Sequence, residues 1–178
     1  MGIPKEPKAA KYFVALLSSD ADLLTTVEKD LSAALSEIDG RSDVVPWTAS
    51  NFYEKEMGDG LWRRFLSLLT LQSPESLAAI KLKTQKIEDQ YRSTSTHGRR
   101  VNLDPGYLDA FKVVLASTKN AGQRVYLHSG IYGEVTLLYH DAAFHGLDYT
   151  YADYLWPETF GFFIQLRARY LIQLRSLG

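Results

Sequence analysis

From Tyr12 to Leu17 the chain runs through apolar residues without a polar interruption, inside the segment KYFVALLS at 11–18. A run this short and this continuous predicts a first strand buried on both faces. Asp20 is placed to cap a helix. Behind it Leu23, Leu24, Val27, Leu31, Ala34, Leu35 and Ile38 recur at helical spacing, and Gly40 fits the helix end. SDVVPWT at 42–48 predicts a second strand, at an edge or irregular, because Pro46 lacks a main-chain donor. A polar loop or short helix spans 49–62. RFLSLLTL at 64–71 reads as a third strand, although periodicity alone does not separate it from a buried helical turn. Ser73-Pro74-Glu75 combines a capping hydroxyl, a first-turn proline and an acid near the helix dipole. Leu77, Ile80, Thr84, Ile87 and Tyr91 mark one face of the helix behind it, and RRVNLD at 99–104 reads as a fourth strand stopped by Pro105-Gly106.

The β-α-β-β-α-β order predicts an α+β fold, a ferredoxin-like antiparallel sheet with both helices on one face. Residues 107–118 read as a further helix with Leu108, Phe111, Val114 and Leu115 inward. QRVYLH (123–128) and GEVTLLY (133–139) form a hairpin around a glycine-containing loop. Pro157 opens a C-terminal helix with Phe160, Phe163, Ile164, Leu171 and Leu174 on its apolar side. No long linker and no fixed-period repeat interrupts the chain. The expectation is one domain over 1–178, with a core at 11–104 and an extension of helix, hairpin and C-terminal helix at 105–178.

Several words of the sequence resemble one family. GIPKEPKAAKYFVALL at the start, NFYEKEMG (51–58), RRFLSL (63–68), RRVNLDPGYL (99–108), VVLASTK (113–119) and RVYLHSGIYGEVTLLY (124–139) together resemble domain-of-unknown-function family 4416. The resemblance covers nearly the whole chain. It implies a bacterial or archaeal cytoplasmic protein of a single domain, and supplies no substrate and no catalytic residue.

Composition narrows the function classes. With 20 Lys and Arg against 21 Asp and Glu, the net charge of -1 argues against a binder driven by attraction to nucleic acid. No cysteine is present, which excludes disulfides, thiolate metal sites and cysteine nucleophiles. No apolar run approaches a membrane span or a signal-peptide core, and Glu6 stands where a myristoylation signal wants Ser or Thr. A soluble cytoplasmic protein is the expectation. The Gly-x-x-x-x-Gly-Lys-Ser/Thr phosphate loop, the dinucleotide fingerprint, His-Glu-x-x-His and Gly-x-Ser-x-Gly are all missing.

Three polar constellations remain. In the first, Glu54 and Glu56 are candidate acids, bases or metal ligands, and Arg63 and Arg64 suit a carboxylate or phosphate fork. Pairing of those Arg and Glu residues in a solvated loop explains the same pattern. In the second, strand alternation puts Arg100, Asn102 and Asp104 on one face of 99–104, with Tyr107 just beyond. Bracing of the Pro-Gly turn by Asn102 and Asp104 is the competing account. In the third, Arg124, Tyr126 and His128 share a face of the hairpin's first strand, Glu134 and Thr136 a face of the second, and Lys119 lies just before. Cross-strand ion pairing is the competing account there.

The leading expectation is therefore a binding protein for a small anion (phosphate or carboxylate), with the question of catalysis open. Its candidate catalytic groups are Glu54, Glu56 and Asp104, and its candidate ligand contacts are Arg63, Arg64, Asn102, Tyr107, Lys119, Arg124, His128 and Glu134. Any cofactor or metal is left unassigned. Among the histidines, His128 is the best candidate proton carrier; His97, His140 and His145 lie in expected loops without metal-ligand spacing. Two alternatives stand beside this. One is a self-associating interaction module using the hairpin edge or the aromatics Tyr149, Tyr151, Tyr154, Trp156, Phe160, Phe162 and Phe163. The other is nucleotide or RNA binding on the sheet face, which is disfavoured because Glu134 and Leu137 stand where stacking rings belong.

Overall fold

A computed structural model describes residues 2–94 and 98–177. It shows a mixed α/β protein built on one large antiparallel sheet. The first strand, β1 (Lys11–Ser18), is buried along its whole length. Helix α1 (Ala21–Ala34) comes next, and Asp20 caps it by accepting the N–H groups of Asp22 and Leu23, each at 3.1 Å. Strands β2 (Ile38–Arg41) and β3 (Val45–Pro46) are short, and both lie against β4 (Trp62–Leu68) at one edge. Between them and β4 sits a single helical turn, α2 (Glu54–Met57). A 3-10 turn at Pro74–Ser76 leads into α3 (Leu77–Gln90). Then come β5 (Asn102–Leu108), β6 (Lys112–Ser117), β7 (Val125–His128), β8 (Ile131–His140) and β9 (Ala143–Gly146). The chain ends in α4 (Pro157–Leu177).

The strands lie in the order β2-β4-β1-β5-β6-β8-β7, with β3 also on β4 and β9 also on β8. α1 and α3 cover one face, where Val14, Leu16, Leu66 and Leu103 meet Leu24, Val27, Leu31 and Ile87. α4 covers the other, where Phe13, Phe65, Leu115 and Leu137 meet Phe163, Leu166 and Tyr170. The Phe163 ring stands edge-on to Phe13 at 5.0 Å between centroids. β1 is apolar from Tyr12 to Leu17 because both of its faces are covered.

Several expectations need correction. Residues 107–118 are not a helix: they are the end of β5, a turn and β6. The Asp109 carboxylate accepts the N–H groups of Phe111 (2.8 Å) and Lys112 (2.9 Å), which sets the turn, and Phe111 points to solvent at 71% exposure. The run Val113-Val114-Leu115-Ala116 is buried on both faces, the pattern of an inner strand. Pro105-Gly106 does not stop β5 but lies within it. Arg100 precedes that strand and binds Asp20 at 3.0 Å. Gly40 and Ile38 belong to β2, not to the end of α1. Ile164 faces outward on α4. Residues 143–146, expected as loop, form β9, so His140 and His145 stack across a hairpin at 3.8 Å between ring centres. His97 lies outside the described residues.

Gly106 is packed on both sides, against Phe13 of β1 and against β6. A Cβ there would lie 2.6 Å from the Val114 carbonyl oxygen and 2.6 Å from Phe13 Cζ. Gly106→Ala is therefore expected to destabilise the fold by about 1–3 kcal/mol, as overpacking does. Urea unfolding measures this, and an unchanged midpoint would show that the two strands can move apart freely.

Candidate functional site

β5 and β6 pair only through Gly106↔Leu115, Tyr107↔Val114 and Leu108↔Val113. β5 stays on β1 as far as Asn102, and β6 stays on β8 as far as Ser117. The two strands thus part inside the sheet rather than at its edge. A cavity of about 360 Å³ occupies the gap.

Leu103 shows how the gap is held. Alternation along β5 turns its N–H and C=O away from β1, toward where β6 would lie. Its N–H donates to Glu88 Oε1 at 2.6 Å, and its C=O accepts from Lys81 Nζ at 2.8 Å. Both partners project from α3. Pro105, the next residue of the same parity, has no N–H to satisfy.

The rest of the lining is set by strand register on the α4 face. Leu17 of β1 neighbours both Arg63 and Asn102, and Ala15 neighbours both Phe65 and Asp104. Leu115 neighbours Glu134 across β6 and β8. Arg63 therefore comes from one side of the cavity and Glu134 from the other, with Asn102 and Asp104 between them. The 3-10 turn at Ala152–Leu155 adds Asp153 and Tyr154, and the loop before α2 adds Trp47, Phe52 and Tyr53.

Hydrogen bonds link these groups into a chain. Glu56 holds Arg99 through two oxygens, each at 2.8 Å. Arg99 Nη1 donates to Asn102 Oδ1 at 2.6 Å, Asn102 Nδ2 donates to Asp104 Oδ2 at 2.6 Å, and Lys81 Nζ reaches Asp104 Oδ1 at 3.0 Å. On the far side Arg124 Nε donates to Glu134 Oε2 at 2.8 Å and its Nη2 to the Tyr151 hydroxyl at 2.6 Å. Arg63 pairs with Asp153 at 3.0 Å and lies 4.6 Å over the Trp47 ring. Lys119 Nζ lies 4.6 Å over the Phe52 ring, and among the described residues no ion pair engages it.

The carboxyl groups are driven apart in acidity. Burial pushes Glu88 up to about 7, against the Lys81 charge and the Leu103 N–H. Burial pushes Asp104 up as well, but the Lys81 and Arg63 charges and two hydrogen bonds outweigh it, and the net direction is down. Burial raises Asp153 despite Arg63. One carboxylate is thus ionised at neutral pH beside another that exchanges a proton there. Among the described residues no group of three His, Asp or Glu is disposed to hold a metal ion.

Of the catalytic and ligand-contact candidates expected from the sequence, Arg63, Asn102, Asp104, Lys119, Arg124 and Glu134 line this cavity. The others do not. Arg64 lies on the opposite face and binds Glu28 of α1 at 2.5 Å. Tyr107 packs beside Tyr12 on the α3 side, 5.8 Å between ring centres. His128 is exposed at the β7–β8 turn, 3.0 Å from the Ser129 hydroxyl. Glu54 is exposed on α2, and Glu56 is spent on Arg99 at the rim. Strand alternation separates Arg63 from Arg64, and all four residues of the edge strand β7 are exposed, so neither of its faces carries His128 inward.

Lys81, Glu88, Arg99 and Asp153 are not among the sequence candidates, and Tyr151 and Tyr154, expected there as part of an aromatic contact surface, line the cleft instead. A signal for the α3 pair was present: Lys81, Gln85 and Glu88 recur at helical spacing directly beside the apolar stripe of Ile80, Thr84 and Ile87. Asp153 sits in a 3-10 turn and had no such signal.

Residues 8–170 match the family described as Domain of unknown function (DUF4416). No curated protein and no solved structure matches the chain. Among the described residues no helix is long and apolar enough to cross a membrane.

The raised pKa of Glu88 has a consequence for stability. The folded chain holds this proton more tightly than the unfolded chain, whose carboxyl has the ordinary value of 4.5. Its contribution is fully present below about pH 4.5 and is lost as pH rises through about 7. The stability of the wild type relative to Glu88→Gln should therefore fall between those pH values in paired urea titrations. A difference that stays level with pH would contradict this.

Proposed function

For a chain that belongs to DUF4416, a family whose description names no activity, we propose that the cleft between β5 and β6 binds a small organic anion. The observation that carries the reading is a set of buried polar atoms without a partner around one cavity. Among the described residues Arg63 Nε and Nη1, Glu134 Oε1, Asp153 Oδ1 and the Tyr154 hydroxyl find no hydrogen-bond partner, although each belongs to a buried side chain lining the cleft. Each such atom costs about 1–3 kcal/mol when left unmade. Glu28 Oε1 and Arg64 Nε on the opposite face are unpartnered too, but the cleft gathers the larger group in one concavity, as a ligand site does. Arg63 and Arg124 present guanidinium groups and Lys119 an ammonium for a carboxylate or phosphate. If the site is also catalytic, Glu88, pushed up to about 7, is the group suited to exchange a proton, and Asp104, held ionised by Lys81 and Asn102, is suited to fix charge beside it.

The finer reading of the fold belongs to the same proposal. The order β2-β4-β1-β5, all antiparallel, with α1 and α3 on one face, supports a ferredoxin-like arrangement of residues 11–104. The continuous sheet supports one domain. The family resemblance supports a cytoplasmic, prokaryotic setting.

A thermal-shift panel of small carboxylates and phosphates tests the binding. A ligand at about 100 times its dissociation constant stabilises the fold by about 2.7 kcal/mol. The shift should vanish in Arg63→Ala and persist in Arg64→Ala, whose side chain lies on the other face. A flat panel with the folded wild type, or a shift lost equally in both variants, refutes the reading.

A specific observation favours self-association as a second reading. β7 is an edge strand, and Val125 and Tyr126 are 70% and 58% exposed on it. Such an edge is a template for pairing with another copy. Sedimentation should then show a dimer that Tyr126→Lys or Val125→Pro dissociates, and a monomer at high concentration removes this reading.

A further inference from the structure

The free hydrogen-bonding atoms of the cleft are mixed in kind and placed on several sides. Arg63 Nε and Nη1 are donors and come from β4. Glu134 Oε1 is an acceptor and comes from β8, four places along the sheet. Asp153 Oδ1 accepts, the Tyr154 hydroxyl does both, and these come from the turn before α4. Glu134 and Asp153 are each only 1% exposed.

The cleft also has little charge to spare. Arg63 is held by Asp153, Arg124 by Glu134, Lys81 by Asp104 and Arg99 by Glu56. Lys119, just beyond the end of β6, is the cleft cation for which no ion pair is found among the described residues. A polyanion such as a nucleoside triphosphate would meet almost as much negative as positive charge here. A single anionic group, by contrast, finds one free ammonium.

We infer that the cleft takes a monosaccharide-sized polyol bearing one anionic group, a carboxylate or a phosphate monoester. This rests on the small-anion reading and adds the class of molecule. A hydroxyl donates and accepts at once, so a vicinal pair satisfies a guanidinium and its carboxylate together. Hydroxyls project around a sugar ring in several directions, matching partners on opposite walls; a flat base presents its polar edge in one plane. The ring of Tyr151, among the lining residues, offers a surface for the sugar ring's C–H face. The volume, about 360 Å³, exceeds what inorganic phosphate fills and falls at the small end of ligand sites.

Calorimetry against hexuronates, aldonates, hexose and pentose monophosphates, neutral hexoses, inorganic phosphate and nucleoside monophosphates tests this. The best sugar anion should bind at least about tenfold more tightly than its neutral sugar, inorganic phosphate or any nucleoside monophosphate, a margin of about 1.4 kcal/mol. Which of the two sugar classes binds better identifies the anionic group. Tyr154→Phe removes a hydroxyl with no protein partner, so folding should be spared. It should weaken the sugar anion by roughly threefold to tenfold, the worth of one hydrogen bond. Inorganic phosphate or a nucleoside monophosphate binding as tightly as every sugar anion overturns the polyol inference and leaves the small-anion reading standing. Absence of binding by every anion overturns both.

Discussion

The main-chain groups of Leu103 are taken up by side chains of α3 instead of by a neighbouring strand, and the cleft depends on that exchange. A strand that leaves its partner inside a sheet exposes N–H and C=O groups that must find other partners or cost stability. Glu88 and Lys81 supply those partners at 2.6 and 2.8 Å. Pro105 removes the next donor from the same edge, and Gly106 lets β6 close up directly after it. The three features, a captured Leu103, a proline and a glycine, turn the opening of the sheet into a stable part of the fold.

The arrangement of the helices is tied to the same opening. α3 covers one face and reaches through the gap with its charged residues, while α4 covers the opposite face over Phe13, Phe65 and Leu115. Its first turn stops short of the gap, and the 3-10 turn before it brings Asp153 and Tyr154 over the cleft instead. The cavity is therefore bounded by both layers of the protein. Residues as far apart in sequence as Trp47 and Tyr154 meet there because β1 holds β4 and β5 in register on either side of it.

Much of this was legible in the sequence where a local signal matched the final environment. The unbroken apolar run of β1, the Asp20 cap and the proline opening α4 each have a local physical cause, whereas Ser73-Pro74 opens a 3-10 turn ahead of α3 and the Ser73 hydroxyl makes no cap bond. The misreading of 107–118 has a cause as well. Leu108, Phe111 and Leu115 satisfy helical spacing, but the deciding features are the Asp109 turn and a run buried on both faces. Neither is visible until a strand lies on each side. Among the site residues, polar groups at alternate strand positions, such as Asn102 and Asp104, could be found from period alone. Asp153 and Arg99 could not, because a turn and a loop carry no period. Arg64 shares a sequence word with Arg63, but adjacent strand residues face opposite ways, and Arg64 meets Glu28 instead.

Charge pairing explains why a cleft so rich in ionisable groups is compatible with burial. An isolated buried charge is far more costly than a pair, and a pair gains only when its remaining hydrogen bonds are made. The Glu56–Arg99–Asn102–Asp104–Lys81 chain meets that condition along its length. The Arg63–Asp153 and Arg124–Glu134 pairs meet it only in part, since Arg63 Nε and Nη1, Glu134 Oε1 and Asp153 Oδ1 find no partner among the described residues. One side of the cleft is thus finished by the protein's own side chains, and the other is not. The finished side fixes the frame that holds the sheet apart, and the unfinished side is where free energy remains for a ligand to gain.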